Sequence, residues 1–423
     1  MKTFVQYGAG GIGRGFLGEL FFDAGYKIIF IDADETLINA LNEKKEYTIE
    51  IIGNEKTERK TVRGVSCVNG RETETAAETI AGADIMATAV GVNVLPAIAP
   101  TIAAGLRRKW KNDQNVYTNL QFFNIIICEN LIDADKFLRE KIYAFLNERE
   151  RQVFDKYVGL SCASVGRMVP LLTAQDKKND PLRVKVEPYR ELPVDAGAFK
   201  GEFPNVRGLV AASQFEFYIR RKLFMHNMGH AVAAYLGFLT GCEYIWRAMD
   251  DENIRRAVDG AMRESALALS KKYNVSVEEC INHADDLTRR FGNRSLGDTV
   301  ARVGADGFRK THSSARLAGA IIFCREAGVD PVHISAGFAA AFFFGGRGVS
   351  KTETDLKTDA DCIIDAGTLR LRELIKKDGE EGVLRNHCGL DGKDGDIKRI
   401  LTFIDILKNG AEISDLMKEI EKR

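Results

Sequence analysis

A glycine-rich turn at residues 8–13 constrains the fold of this chain more than any other feature of its sequence. The turn reads Gly-Ala-Gly-Gly-Ile-Gly, follows a short strand-like run and opens a stretch with helical spacing. Gly8 permits a tight turn, Gly10 lets backbone approach a phosphate, and Gly13 lets a helix pack closely on a strand. The turn therefore predicts a pyrophosphate site at a helix N-terminus, where backbone N–H groups are free to bind an anion.

The identity of the dinucleotide is predicted by the second strand-like run, residues 27–32. It ends in Asp32, at roughly the 20-residue offset expected of the acid that hydrogen-bonds an adenosine ribose. A carboxylate there repels a 2′-phosphate, and residues 33–35 provide no arginine to offset this repulsion. We therefore expect the chain to bind NAD rather than NADP, with Gly11 and Ile12 completing the contacts of the turn.

The first 130 residues alternate short β-branched runs with helical spacing. This alternation predicts an α/β domain with a doubly wound parallel sheet of the Rossmann type. The strand-like runs are residues 4–7, 27–32, 85–90 and 124–128. The third run leads into further cofactor-binding candidates, although an ordinary strand end would have the same composition: Thr88, Ala89, Val90 and Gly91.

Beyond residue 205, long amphipathic stretches predict a mainly α-helical second domain. The stretches are residues 252–273, 277–290, 315–327, 355–377 and 397–422. We expect a Rossmann NAD-binding domain at residues 1–205 and a helical substrate and catalytic domain at residues 206–423. The proline-rich residues 150–205 are typical of a segment that crosses between domains.

Composition excludes several classes of partner. Sixty Lys and Arg balance sixty Asp and Glu, so no global field attracts nucleic acid or an anionic membrane. Eight cysteines at irregular spacing argue against a disulfide framework and indicate reduced thiols. We expect a cytoplasmic protein with a small-molecule substrate, either a monomer or a small homo-oligomer.

The segment at residues 221–230 carries the clearest chemical pattern of the second half. With about 100° per residue, Lys222, Asn227 and His230 fall within an arc of roughly 140° on one helix face. Oxidation of an alcohol by hydride transfer requires a base for the hydroxyl proton and donors for the developing alkoxide. These three side chains meet that need, although a solvated polar face would have the same spacing.

Other polar residues of the second half offer weaker candidates. His226 and His230 stand four apart, as two metal ligands could, but the residue between them that would be glutamate in a zinc protease is Asn227. We expect no metal. Arg309, Lys310 and Arg316 could clamp an anionic substrate group, or could form a solvated basic patch.

Motif by motif, the chain resembles the polyol-specific long-chain dehydrogenases over nearly its whole length. The matching segments, in order, are residues 8–16, 88–91, 128–130, 167–170, 199–201, 222–230 and 302–304. The resemblance implies a zinc-independent mechanism in which the lysine matching Lys222 is the general acid/base. It also implies an oxyanion clamp from the asparagines matching Asn130 and Asn227, and orientation of the substrate by the histidine matching His230.

The resemblance implies interconversion of a hexitol phosphate and a ketose phosphate, mannitol 1-phosphate and fructose 6-phosphate being the expected pair. A hexuronate reductase or a dehydrogenase of free polyols is the alternative. Two positions depart from the family pattern: Gly166 stands where an aspartate is usual, and Arg220 where a glutamate is frequent. They favour either a pocket for an anionic substrate or altered activity, including a non-catalytic NAD-binding sensor.

Overall fold

Two compact units make up the chain, Met1–Tyr218 and Ile219–Arg423. The computed structural model describes residues 1–111, 117, 120–170, 172, 176, 178, 180–346 and 365–422. The first unit extends beyond the expected boundary at residue 205, since a strand formed by Leu209–Ala212 pairs with one formed by Leu192–Asp195.

The strands of the first unit, in chain order, are β1 (Thr3–Tyr7), β2 (Lys27–Asp32), β3 (Glu46–Ile52), β4 (Thr57–Arg63), β5 (Ser66–Asn69), β6 (Ile85–Thr88), β7 (Phe123–Ile127), β8 (Val158–Cys162), β9 (Val184–Val186), β10 (Leu192–Asp195) and β11 (Leu209–Ala212). Six of them form a parallel sheet in the order β5-β2-β1-β6-β7-β8, as the predicted Rossmann fold requires. β1 pairs with both β2 and β6, so the strand order reverses at β1 and a ligand crevice opens at its carboxyl end.

Helices cover both faces of this sheet, because successive residues of β1 point into separate cores. Phe4 packs with Phe16 and Phe21 on one face, whereas Val5 packs with Ile98 on the other. The helices of this unit are Gly18–Asp23, Glu35–Lys44, Thr73–Ala81, Leu95–Trp110, Ala134–Tyr143 and Glu148–Tyr157, and the chain between Gly13 and Leu17 forms a π-helical turn. The predicted doubly wound architecture is confirmed.

The proline-rich residues 150–205 are part of the first unit rather than a free crossing segment. They contain the sheet-edge strand β8, together with β9 and β10. β9 pairs with β3, which also forms an antiparallel hairpin with β4. Pro193 lies within β10 itself, and the strands of this segment are short.

The second unit is mainly helical, as predicted. Its helical segments are Asn227–Leu239, Ile245–Asp250, Glu252–Tyr273, Val277–Phe291, Val300–Gly304, Gly307–Thr311, Ala318–Glu326, Val332–Ala341, Ala366–Gly382, Asp394–Lys408 and Ile413–Glu421, with π-helical turns at Lys222–His226 and Val383–His387. The boundary between the units falls within the helix Phe215–Arg221.

Capping residues explain where several of these helices begin and end. The helix Glu252–Tyr273 starts where Asp251 accepts from the N–H of Ile254 and ends at Asn274 in the left-handed conformation. The expected stretch 397–422 is two helices, because Gly410 adopts φ 75° between them. Part of another expected stretch, residues 355–364, lies outside the described residues.

Within the described part of the chain, no helix combines the length and apolar character needed to cross a membrane.

Candidate active site

The glycine turn after β1 is tight at Gly8 and Gly13 and open at Gly10. Gly8 has φ 93°, and a Cβ there would meet the carbonyl oxygen of Ala89 at 2.3 Å. A Cβ on Gly13 would meet the carbonyl oxygen of Gly8 at 2.0 Å. At Gly10, in contrast, a Cβ would find no atom within 4 Å among the described residues. Gly8 and Gly13 are therefore required by close backbone contacts, and of the three glycines only Gly10 leaves space for a ligand.

Asp32 faces this turn from the end of β2. Its Oδ2 accepts from the N–H of Ala9 at 2.6 Å, and its Oδ1 accepts from the N–H groups of Ala33 at 2.7 Å and Asp34 at 3.0 Å. These bonds fix the carboxylate at the edge of a cleft of about 570 Å³. The cleft is lined by Gly8, Gly10, Asp32, Ala89 and Val90, among others. The structure therefore brings together the predicted turn, the predicted acid and part of the predicted strand exit.

Arg71 also lines this cleft and was not predicted. It follows β5, and its Nη1 lies 3.7 Å from Oε1 of Glu35. Arg71 lies far beyond residues 33–35, the residues directly after Asp32 in which a cation was expected to stand if one were present. β5 pairs with β2 along Asp32↔Asn69, so the chain segment after β5 returns to the same edge of the sheet.

The π turn Gly13–Leu17 is hydrogen-bonded to the glycine turn through the side chain of Arg14. Nε of Arg14 donates to the carbonyl of Ala9 and Nη1 donates to the carbonyl of Leu182, both at 2.6 Å. The hydroxyl of Tyr47 donates to the carbonyl of Arg14 at 2.7 Å. Arg14 thus ties the π turn to the glycine turn and to residue 182, and Tyr47 supplies a donor for a carbonyl group within the π turn itself.

Gly11 and Ile12 begin the helix at the front of this turn. A Cβ on Gly11 would approach Cγ1 of Val169 at 2.9 Å, and Ile12 is a half-buried residue packed against the core of the first unit. The two residues therefore shape the turn through packing.

The exit of β6 is held by Glu129, which lies between Cys128 and Asn130 and was not predicted as a site residue. Its two carboxylate oxygens accept from the N–H groups of Val90 and Gly91, each at 2.9 Å. Burial raises the pKa of Glu129, while these two N–H bonds act in the opposite direction. Asn130 is exposed directly after Glu129, beyond the carboxyl end of β7.

Thr88, Ala89, Val90 and Gly91 follow one another at this exit. Thr88 is buried as the last residue of β6, and Gly91 adopts φ 91°. Ala89 and Val90, the two residues between Thr88 and Gly91, line the cleft.

In the second unit, Lys222 and Asn227 lie at the two ends of the π turn Lys222–His226. The N–H of Asn227 donates to the carbonyl of Lys222. The uniform α-helical spacing behind the predicted arc therefore does not hold across this turn, because a π turn closes five residues on, and the shared face of the three side chains stays a prediction. The hydroxyl of Ser265, which is fully buried, donates to the carbonyl of Phe224 at 2.6 Å. This contact, from a distant helix, stabilises the turn.

His230 lies one helical turn beyond Asn227 and is packed among rigid groups. Its ring stacks on Phe291 at 4.8 Å between centroids, with 7° between the ring planes. Its Nε2 lies 3.4 Å from Oδ2 of Asp298. Burial, followed by the charges of Arg302 and Arg316, lowers the pKa of His230 to about 3. His230 is therefore neutral near pH 7.

His226 packs close to both rings of this pair. Its ring centroid is 6.3 Å from that of His230 and 5.7 Å from that of Phe291. Burial lowers its pKa well below the usual range, and the charge of Arg290 adds to this effect. Among the described residues, no group of three or more His, Cys, Asp or Glu side chains could hold a metal ion.

The three predicted anion-binding cations are in different surroundings. Arg309 is exposed and pairs with Asp306. Lys310 is buried and its Nζ donates to the carbonyls of Val303, at 2.6 Å, and Ala305. Burial lowers the pKa of Lys310 to about 7.

Arg316, the third cation, approaches the π turn. It is half-buried, and its Nη1 donates to the carbonyl of Asn227 at 3.5 Å. Burial lowers its pKa to about 10. Of the three cations, Arg316 is the one that the structure joins directly to the Lys222–His230 segment.

The two positions that depart from the family pattern lie in separate units. A Cβ on Gly166 would approach Cε1 of Tyr189 at 3.3 Å, so an aspartate there would press on the tyrosine ring. Arg220 places its guanidinium 5.5 Å from the ring centroid of Phe224, within the second π turn. The cation gained at this position is therefore packed against the turn that carries Lys222.

Solved structures of polyol dehydrogenases share this fold. The ternary complex of Pseudomonas fluorescens mannitol 2-dehydrogenase with NAD and D-mannitol superposes with a TM-score of 0.72 at 16% identity, covering 100% of this chain and 94% of the other. A substrate-free D-sorbitol dehydrogenase gives 0.74 at 16% identity, covering 97% and 94%. At such identities the comparison concerns the fold alone.

Sequence comparison is more specific. Residues 2–208 match the mannitol dehydrogenase Rossmann domain, and residues 214–386 match the mannitol dehydrogenase C-terminal domain. The mannitol-1-phosphate 5-dehydrogenase of Bacillus subtilis is 36% identical over 92% of this chain and 96% of its own length. That of Brevibacillus brevis is 36% identical over 91% and 93%. The chain therefore belongs to the mannitol dehydrogenase family.

Proposed function

We propose that this protein is an NAD-dependent oxidoreductase that interconverts mannitol 1-phosphate and fructose 6-phosphate. The observation that carries the substrate assignment is the near full-length similarity to relatives named mannitol-1-phosphate 5-dehydrogenase, such as the one from Bacillus subtilis. The domain assignment goes with it: residues 1–205 bind the cofactor, and residues 206–423 supply the proton-transferring side chains.

The geometry of the first unit supports NAD as the cofactor. The turn is open at Gly10, where a pyrophosphate would contact the backbone. The carboxylate of Asp32, at the edge of the same cleft, would accept hydrogen bonds from the ribose hydroxyls. NAD supplies the hydride acceptor of the oxidation. Val90, whose N–H is bonded to Glu129, lines the same cleft.

The second unit provides the proton chemistry in this proposal. In the oxidation, Lys222 takes the hydroxyl proton while hydride leaves the same carbinol carbon, and in the reduction it returns the proton to the ketone oxygen. The amides of Asn227 and Asn130 donate to the substrate oxygen as its negative charge develops. His230 orients a neighbouring hydroxyl. The reaction proceeds without a metal ion.

A phosphate on the substrate requires a cation near this segment. Arg316 fits the requirement best because its guanidinium already contacts the backbone of Asn227. Lys310 directs its ammonium to backbone carbonyls, and Arg309 pairs with Asp306. We therefore expect Arg316 to contribute most of the predicted clamp.

The first test is oxidation of NADH by the purified protein in the presence of a chelator. Fructose 6-phosphate, fructose, fructuronate and tagaturonate are compared in parallel. Turnover confined to fructose 6-phosphate supports the proposal, whereas preference for a uronate assigns the chain to hexuronate reduction. NADH binding without turnover of any ketose contradicts the proposed activity and favours a sensor.

A variant of Lys222 tests the proton-transferring role. Lys222→Ala should lower kcat by on the order of 10²–10⁴-fold, the usual contribution of general acid–base catalysis, with the Kd for NADH unchanged. Lys272→Ala, which removes an exposed lysine from a helix of the same unit, is the matched control. Equal turnover in the two variants would exclude Lys222 as the acid/base.

A further inference from the structure

Asp298 lies between His230 and Arg302 in the second unit. Its Oδ2 is 3.4 Å from Nε2 of His230, and its Oδ1 pairs with a guanidinium nitrogen of Arg302. The Asp298 side chain is only 12% exposed. Asp298 is 68 positions from His230 in sequence, and none of the family motifs noted above includes it.

The backbone holds this carboxylate in a fixed place. The carbonyl of Asp298 accepts from the N–H of Ile245 at 2.9 Å, and the N–H of Val300 donates to Glu243 at 2.8 Å. Thr299 then caps the helix Val300–Gly304. Asp298 and Val300 are therefore both bonded to the segment at residues 243–245, which restrains the backbone that carries the carboxylate.

The imidazole of His230 is equally restrained. Stacking on Phe291 fixes the plane of the ring. The group next to Nε2, Asp298, then determines which ring nitrogen carries the proton. Since His230 is neutral near pH 7, one ring nitrogen carries a proton and the other carries a lone pair. An ionised carboxylate only accepts, so a proton on Nε2 is favoured and Nδ1 keeps its lone pair.

Arg302 supports this arrangement from the outside. Burial raises the pKa of Asp298, and the guanidinium of Arg302 acts against that change by favouring the ionised form. Arg302 is itself half-exposed, with 52% of its side chain accessible. The series from Arg302 through Asp298 to His230 thus runs from the surface to the buried segment that carries Lys222.

We propose that Asp298 is a positioning residue that holds His230 in the Nε2–H tautomer, so that Nδ1 accepts a hydrogen bond from a substrate hydroxyl. The inference rests on the proposed function, in which His230 orients the substrate. Loss of Asp298 should therefore impair turnover through His230 while the cofactor cleft of the first unit is unchanged.

The test combines a tautomer measurement with kinetics. In protein labelled with ¹⁵N-histidine, two-bond ¹H–¹⁵N correlation spectra distinguish the two tautomers, and His230→Gln assigns the signals. We expect the Nε2–H form in the unaltered protein. In Asp298→Asn, the carboxamide can both donate and accept, so the Nδ1–H form should become populated. We expect kcat for fructose 6-phosphate to fall by about 10–100-fold, as for other residues that orient a functional imidazole, without a change in the KM for NADH.

Asp250→Asn is the matched control, since Asp250 pairs with Arg294 at 3.2 Å on an exposed surface of the same unit. An Nδ1–H tautomer in the unaltered protein would overturn the proposal even if Asp298→Asn failed to fold. So would an unchanged tautomer, or a kcat equal to that of the control, in Asp298→Asn. If no ketose is reduced but the tautomer changes in Asp298→Asn, the proposed function fails and the assignment of Asp298 as the residue that fixes the tautomer is supported.

Discussion

Replacement of Gly10 by alanine separates cofactor binding from folding. The added Cβ would meet no described atom within 4 Å, and the backbone of Gly10 is outside the left-handed region. Such a substitution raises the free energy of unfolding by about 0.4–1 kcal/mol, because alanine has less conformational entropy in the unfolded chain. We therefore expect Gly10→Ala to fold normally and to melt at or slightly above the temperature of the unaltered protein.

Cofactor affinity should respond in the opposite direction. If a pyrophosphate lies against the backbone of Gly10, the extra methyl group occupies that contact. Overpacking of this kind costs about 1–3 kcal/mol, which corresponds to an increase of about 5–150-fold in the Kd for NADH. The Kd is measured by fluorescence titration or calorimetry, and the melting temperature by differential scanning fluorimetry.

Gly13→Ala provides the contrast. Its Cβ would lie 2.0 Å from the carbonyl oxygen of Gly8, so the backbone itself must move. We expect a loss of about 1–3 kcal/mol of stability, or about 2–12 °C in Tm for a unit of this size. A Gly10→Ala protein with normal stability and an unchanged Kd for NADH would refute the placement of the pyrophosphate.

Three further perturbations test other parts of the structure. Asp32→Ala should raise the Kd for NADH by about 10–100-fold through loss of charged hydrogen bonds. The Kd for NADPH should rise less, because the repulsion disappears and Arg71 lines the cleft. The pKa of His230 is lowered from 6.5 to about 3, so the unfolded chain binds more protons between these values. Stability should therefore fall as the pH decreases from 6.5 towards 3, and His230→Gln should remove up to about 1.4 kcal/mol per pH unit of this dependence in urea unfolding. Tyr47→Phe leaves the carbonyl of Arg14 without its hydroxyl donor and should cost about 1–3 kcal/mol, measured by the same urea unfolding at pH 7.

The Rossmann sheet was predictable because its central strands carry their signal locally. β1, β2, β6 and β7 are short buried runs between helical spacings, and all four were expected. The hairpin of β3 and β4 was not. β4 places Arg59 and Lys60 in ion pairs with Glu50 and Glu19, so its sequence is charged and gives no apolar run. Its strand partner, β3, is its neighbour in sequence, so what the sequence lacked was an apolar pattern along β4.

The candidate site shows the same division. Lys222, Asn227 and His230 could be selected from spacing and chemistry, but the spacing assumed one uniform α-helix. The π turn between Lys222 and Asn227 is stabilised by Ser265, and the ring of His230 is fixed by residues on other segments. Neither contact can be predicted from the residues that surround Lys222 and His230 in the sequence.

The sequence by itself determined the glycine turn, the acid that faces it and the alternation that builds a doubly wound sheet. These features depend on backbone sterics and on the order of nearby residues. Only the tertiary structure decided which glycine leaves space for a ligand, that Arg71 returns to the cleft and that Asp298 meets His230. Each of these results from contacts between segments far apart in the chain, and such contacts depend on how the elements pack rather than on local propensity.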